Sequence, residues 1–350
     1  MRKSILSITS SLFLFAACTK TESIENKIDA TQEKTNVRKS IASNVILPTY
    51  IDMEAKAGLL YTSIQNFNTN SNDANLAVCQ NAWYAVRNAW EKSEGFLFGP
   101  VAVENIDPRI DTWPVNYQSL DSLLASNAIY TTTYIEILED ALRGFHPIEY
   151  LLFGINKGKK ANEFNQRQKD YLLALTENLK GLCNKTVSDW NSGFYVDFTT
   201  PSSTSVYKTE REVYEEIVNA MSGICDEVAN GKISEPFISQ DATLEESPFA
   251  LNSLVDFTNN MQSVENVYYG KYITDGKGLE DFVKLHNLSL DNKMKQKITA
   301  SITSLNNITV PFGKAIKEQP TQVQNAIDAI NELKKVLEEE LLPLVQMHTN

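Results

Sequence analysis

The stretch FNQRQKDYLLALTENLKGLCNKTVSDWNSGF (residues 164–194) decides the fold class. Its apolar residues Tyr171, Leu172, Leu175, Leu179, Leu182, Val187, Trp190 and Phe194 recur at three- and four-residue steps, the stripe of an amphipathic helix. The same spacing returns at Tyr214, Ile217, Met221, Ile224 and Val228, and again at Val323, Ala326, Ile327, Ile330, Leu333, Leu337, Leu341 and Leu344. Pro48, Ser247-Pro248 and Pro320 mark helix starts, and residues 74–98 form another helix. Alternating runs bounded by hairpin turns are missing. Only Tyr195 to Val206 could be extended, and its Thr/Ser/Pro content reads as a linker. The expected fold is all-α, as two packed helical bundles covering 41–200 and 201–350. Setting Gly99 against Gly270 aligns SEGFLFG (93–99) with VENVYYG (264–270), the pattern of an ancient duplication or of two similar helix ends.

The chain opens like an exported protein. Arg2 and Lys3 precede an apolar run from Ile5 to Phe15, and Ala16-Ala17-Cys18 closes it. Residues 1–17 therefore read as a signal peptide, with Cys18 as the lipidated first residue. That run is too short to span a bilayer. Residues 18–40 are polar and read as a solvated tether. Without Arg2 and Lys3, 30 basic residues face 44 acidic ones, a net charge of −14. Such a surface disfavours nucleic acid. The expected location is the cell envelope, lipid-anchored in the outer membrane on its periplasmic or surface face. Cys79, Cys183 and Cys225 lack zinc-type spacing and read as buried free thiols.

Two clusters carry chemistry. In GFHPIE (144–149), His146 and Glu149 are three apart, so on a helix both can converge on one point. That suits a metal ligand set or a proton-transfer pair. Pro147 suggests a helix start that leaves His146 at the cap. The second cluster, WEKSEGFLFGPVAVENIDPRIDTWP (90–114), supplies Glu91 and Glu94 near a helix end, then a loop bearing Asp107, Arg109, Asp111 and Trp113. An imidazole–carboxylate pair among apolar neighbours needs polar partners to offset burial, so this segment is expected to pack over His146.

Together these stretches closely resemble the imelysin family, also called peptidase family M75. Its Gly-x-His-x-x-Glu hallmark is matched at Gly144, His146 and Glu149. Its Trp-Glu-x-x-Glu-x-x-x-x-Gly-Pro helix end and Asp-Pro-Arg-x-Asp-x-Trp-Pro loop are matched at 90–100 and 107–114. The segment 247–270 also resembles its imelysin counterpart. The resemblance implies an all-helical two-domain fold with the motif in a cleft between the halves. It also implies an exported, often lipid-anchored protein linked to iron uptake, with envelope iron-uptake components as partners.

Some imelysins are described as peptidases, but the residues here fit a standard zinc peptidase incompletely. That chemistry needs three ligands, an open position and a base, and the segment offers one histidine. His286 and His348 are unpersuasive ligands. The candidate metal ligands are His146, Glu149, Glu94 and Asp111, supported by Gly144, Glu91, Asp107, Arg109 and Trp113. One imidazole with several carboxylates suits iron better than zinc. No nucleotide or organic cofactor is indicated. Binding of iron or an iron-bearing ligand is the first reading. A metal-dependent peptidase using His146, Glu149 and Glu94 is the alternative, and paired carboxylates also leave glycoside hydrolysis open.

Overall fold

The computed structural model describes residues 31–350, and every regular element among them is helical. We number the helices that frame the core α1 (Leu47–Thr69), α2 (Asp73–Glu91), α3 (Phe145–Phe153), α4 (Gln166–Asp189), α5 (Glu210–Asp226), α6 (Ser253–Tyr269), α7 (Leu288–Asn306) and α8 (Pro320–Val336). Their starts follow local chemistry. The side chains of Asn72, Asn165, Thr209 and Asn287 each accept a backbone N–H of the first turn, which that turn cannot otherwise satisfy.

In the first half α1 packs on α2 and α4, and α3 packs on both α2 and α4. In the second half α6 packs on α7, α7 on α8, and α5 on α6 and α8. The halves meet where α2 packs on α6 and where the turn Glu94–Phe96 packs on α5 and α6. The apolar core is continuous across this junction, from Val37 to Val345, with Trp83, Trp90 and Trp190 fully buried in it. Cys79, Cys183 and Cys225 are buried free thiols within it. No helix among the described residues is long and apolar enough to cross a membrane.

Several details differ from the sequence expectations. Residues 31–40, expected in the tether, are helical and run through a π-helical segment, Ile41–Ile46, into α1. Their inward face joins Val37 and Ile41 to Lys34 and Arg38, both buried and both paired with Glu210. Charge at stripe positions hides such a helix from a hydropathy reading. The signal peptide and Cys18 lie outside the described residues. Tyr195–Thr199 is helical, not extended, and irregular chain follows to residue 209. The stripe of 164–194 is interrupted by a π segment, Trp190–Phe194, in which Gly193 has φ 141°. A further π segment, Glu227–Ile233, follows α5. Gly99 and Gly270 share a positive φ but not a setting: Gly270 ends a long helix, whereas residues 94–96 are a single 3-10 turn.

Candidate functional site

Gly144 sets the geometry. It precedes α3 with φ 81°, a region that side chains other than glycine rarely adopt. A Cβ there would lie 2.0 Å from the carbonyl oxygen of Ile110. The absent side chain therefore lets the two backbones touch, which carries the neighbouring Asp111 to the first turn of α3. The helix starts earlier than Pro147 suggested: Gly144 is the cap and His146 lies inside the first turn. Pro147 is tolerated because first-turn N–H groups have no helical acceptor.

His146 and Glu149 are fully buried. His146 Nε2 approaches Asp111 Oδ1 at 3.1 Å without the alignment of a hydrogen bond. Its Nδ1 lies 3.5 Å from Glu149 Oε2, and the Trp113 ring tilts over the imidazole with centroids 4.9 Å apart. Glu149 is held from its other side. Its Oε1 accepts the backbone N–H groups of Phe249 (3.0 Å) and Ala250 (2.7 Å), donated from the second half of the chain.

Behind this pair lies a buried charge network centred on Arg87. Its guanidinium meets Glu91 Oε1 at 2.5 Å and Glu246 Oε1 at 2.7 Å, pairs with Asp111 Oδ1, and stands 3.7 Å from Asp256 Oδ1. It also stacks over the Phe145 ring at 5.1 Å. Trp90 Nε1 donates to Asp111 Oδ2 at 2.7 Å. Asn260 Nδ2 donates to Glu91 Oε2 (2.6 Å) and Glu94 Oε2 (2.7 Å). Lys232, on the Glu227–Ile233 segment, reaches Glu94 at 2.8 Å and Glu246 at 2.9 Å.

Six carboxylates (Glu91, Glu94, Asp111, Glu149, Glu246, Asp256) thus share one buried region with two permanent cations, Arg87 and Lys232. The formal excess is four negative charges, or three when His146 is protonated. Buried charge without compensation is costly and is relieved by protons or by a cation. The titrations follow. Burial pushes Glu91 well above the ordinary carboxylate value against the pull of Arg87, and burial with Glu91 does the same to Glu94. Burial pushes Asp256 up to about 7. For Asp111 burial is outweighed by Arg87 and His146, which hold it well below the usual range. Burial disfavours the His146 imidazolium, but its contacts with Asp111 and Glu149 push it up to about 9.

Among the described residues, two groups can offer ligand atoms within 4.8 Å of one another: Asp111, His146 and Glu246, and Glu91, Glu94 and Asp111. Glu246 Oε2 and Trp113 Nε1 are buried with no hydrogen-bond partner. One imidazole with hard carboxylate oxygens fits a cation of the iron, manganese or magnesium class.

Of the residues singled out from sequence, Glu91, Glu94, Asp111, Trp113, His146 and Glu149 come together here, with Gly144 making the junction possible. Arg109 does not: it faces Glu136 at 3.9 Å. Asp107 lies at the rim: though the residue is partly exposed, burial of its carboxyl, then Asp111 and Glu227, push it up to about 6. The short helix Ile106–Asp111 turns Ile106, Ile110 and the Asp111 side chain inward. Sequence reading missed Arg87, Lys232, Glu246, Asp256 and Asn260. Arg87 carried one visible signal, its i,i+4 spacing to Glu91.

Comparison with known proteins agrees with this picture. The imelysin family model matches residues 46–339. The iron-regulated protein A of Synechococcus elongatus is 29% identical over 348 residues, covering 95% of this chain and 90% of that protein. A crystal structure described as an iron-regulated protein A precursor from Parabacteroides distasonis superposes with a TM-score of 0.81 at 25% identity, covering 91% of this chain and 95% of that one. An imelysin-like protein from Psychrobacter arcticum shares the fold, with a TM-score of 0.74 at 14% identity over 91% of this chain and 96% of that one.

Proposed function

The chain belongs to the imelysin family, and from that premise we propose that it binds a hard metal cation, iron first, at the buried junction of its two halves. His146 Nε2, Asp111 and Glu246 would hold the ion, with Glu91 and Glu94 beside them. Glu149 then serves as an orienting group, not a ligand. Anchored by two backbone N–H groups, it faces Nδ1 and leaves Nε2 for the metal, the usual carboxylate–histidine–metal arrangement. The observation that carries this reading is the convergence of Asp111, His146 and Glu246, from separate parts of the chain, on one region with excess buried negative charge.

Two relatives carry the name iron-regulated protein A, which supports an iron-related role. The leader and Cys18 support export and lipid anchoring, with envelope iron-uptake components as partners. A peptidase reading has less support. His146 and Glu149 have no exposed surface and Glu94 is only 6% exposed, and a peptide must reach the groups that cleave it.

The test is thermal unfolding with Mn2+, or with Fe2+ under anaerobic conditions. Saturation at ~100 times Kd stabilises by ~2.7 kcal/mol, so the wild-type midpoint should rise. His146→Ala, Asp111→Asn and Glu246→Gln should not respond. Equal responses in all four proteins would refute the assignment.

A further inference from the structure

Lys232 stands between solvent and the buried network. Its side chain is 12% exposed, whereas those of Arg87 and Glu91 behind it are at 0%. On the outer side its ammonium lies 3.3 Å from Glu227 Oε1, whose side chain is 58% exposed. On the inner side it meets Glu94 Oε2 at 2.8 Å, Glu246 Oε1 at 2.9 Å and Glu91 Oε2 at 3.8 Å. Carboxylates therefore run in series from the surface to the centre, with one ammonium in the middle. The backbone explains the alignment. Glu227 and Lys232 are five apart on a π-helical segment, whose i→i+5 turn brings such positions closer to one side than an α-helix does.

The imidazole of His146 is covered by the Trp113 ring, whose centroid lies 6.5 Å from that of Phe249. An ion crossing an aromatic wall loses its water and gains no replacement donors. Along the Lys232 side, oxygen atoms are available at each stage. Beyond the ammonium lies Glu246 Oε2, buried and without a hydrogen-bond partner.

We propose that Lys232 is a tethered counter-cation that gates metal uptake. A divalent ion is first captured at Glu227 and displaces the ammonium from Glu94 and Glu246. The lysine swings outward and the ion moves inward to the His146 group, so positive charge leaves the carboxylates only as positive charge arrives. The proposal rests on the metal-binding reading above, and assigns Lys232 a kinetic role that the ligand set alone does not contain.

The experiment measures the rate of Mn2+ capture by the mature full-length protein, by stopped-flow quenching of tryptophan fluorescence. Free Mn2+ at equilibrium is read by EPR. Lys232→Met should capture Mn2+ on the order of tenfold faster, the lower end of what a well-placed charge does to association. Lys232→Arg should be as slow as wild type or slower, because a guanidinium fork holds two carboxylates more firmly. Glu227→Gln, a surface change, should slow capture by a similar factor with the same final occupancy. A merely structural lysine would lower the unfolding midpoint of Lys232→Met without accelerating capture. If Lys232→Met does not fold, the other two variants decide: unchanged capture in Glu227→Gln overturns the gate. Wild type that takes up no Mn2+ refutes the metal site itself, whereas normal uptake with unaltered rates in all variants refutes only the gate.

Discussion

Arg87→Met removes the hub of the buried network while keeping most of the side chain's apolar length. Arg87 is fully buried and holds Glu91 at 2.5 Å and Glu246 at 2.7 Å, besides its contact with Asp111. Net worths of ~1.5–3 kcal/mol per charged hydrogen bond would sum to roughly 5–9 kcal/mol for three. The stranded carboxylates can take up protons, however, and that relief caps the loss. The expected cost is the ~3–5 kcal/mol typical of breaking a buried ion pair from one side. The same relief fixes the sign of the pH effect. Carboxyl groups whose folded pKa is raised stabilise the fold below their unfolded value, and that contribution is lost as pH rises through the folded one. The deficit should therefore shrink from pH 8 to pH 5. Denaturant unfolding at both pH values measures it, with Arg87→Lys as the charge-retaining control. A deficit under ~1 kcal/mol, or an equal deficit at both pH values, would refute the view that Arg87 compensates these carboxylates.

Gly144→Ala forces a Cβ to within 2.0 Å of the Ile110 carbonyl at a φ of 81°; it should cost more than ~2 kcal/mol and separate Asp111 from His146, visible as lost Mn2+ stabilisation. His286 stacks on His348 at 3.9 Å, and burial, then His348 and Lys34, pull it down to about 4. Its neutral form is favoured in the fold, so stability is full above the unfolded value of ~6.5 and falls as pH drops towards 4. His286→Gln should flatten that acid limb in urea midpoints measured across the range, and an unchanged slope would contradict it. Cys18→Ser should release the protein from the membrane fraction or leave it held by an uncleaved leader; unchanged mass and detergent partitioning would overturn the lipid anchor.

The helical class was legible because stripes such as Tyr171 to Phe194 have an unmistakable period. The pairing of His146 with Asp111 was foreshadowed by chemistry, since a buried imidazole–carboxylate pair needs polar company. Arg87, Glu246 and Asp256 were invisible for the opposite reason. Each is a charged residue on an otherwise amphipathic helix or its approach, where charge ordinarily marks the solvent face. Here several helices turn such faces toward one another, and only tertiary packing reveals it. Lys34 and Arg38 hid the 31–40 helix in the same way. Lys232 depended on a π segment, whose extra residue per turn leaves no trace in hydropathy. Arg109 misled because its loop was rich in functional residue types while the short helix turned it outward.

Whether the buried junction of the two halves holds a hard cation is decided by crystals of the mature protein grown with Mn2+ or Fe2+ and measured at the absorption edge of the metal. A cation held there gives an anomalous peak within bonding distance of His146 Nε2, with carboxylate oxygens of Asp111 and Glu246 around it and Lys232 drawn toward Glu227. Anomalous signal only at surface carboxylates, with Arg87 and Lys232 still paired to Asp111, Glu94 and Glu246, would contradict that site.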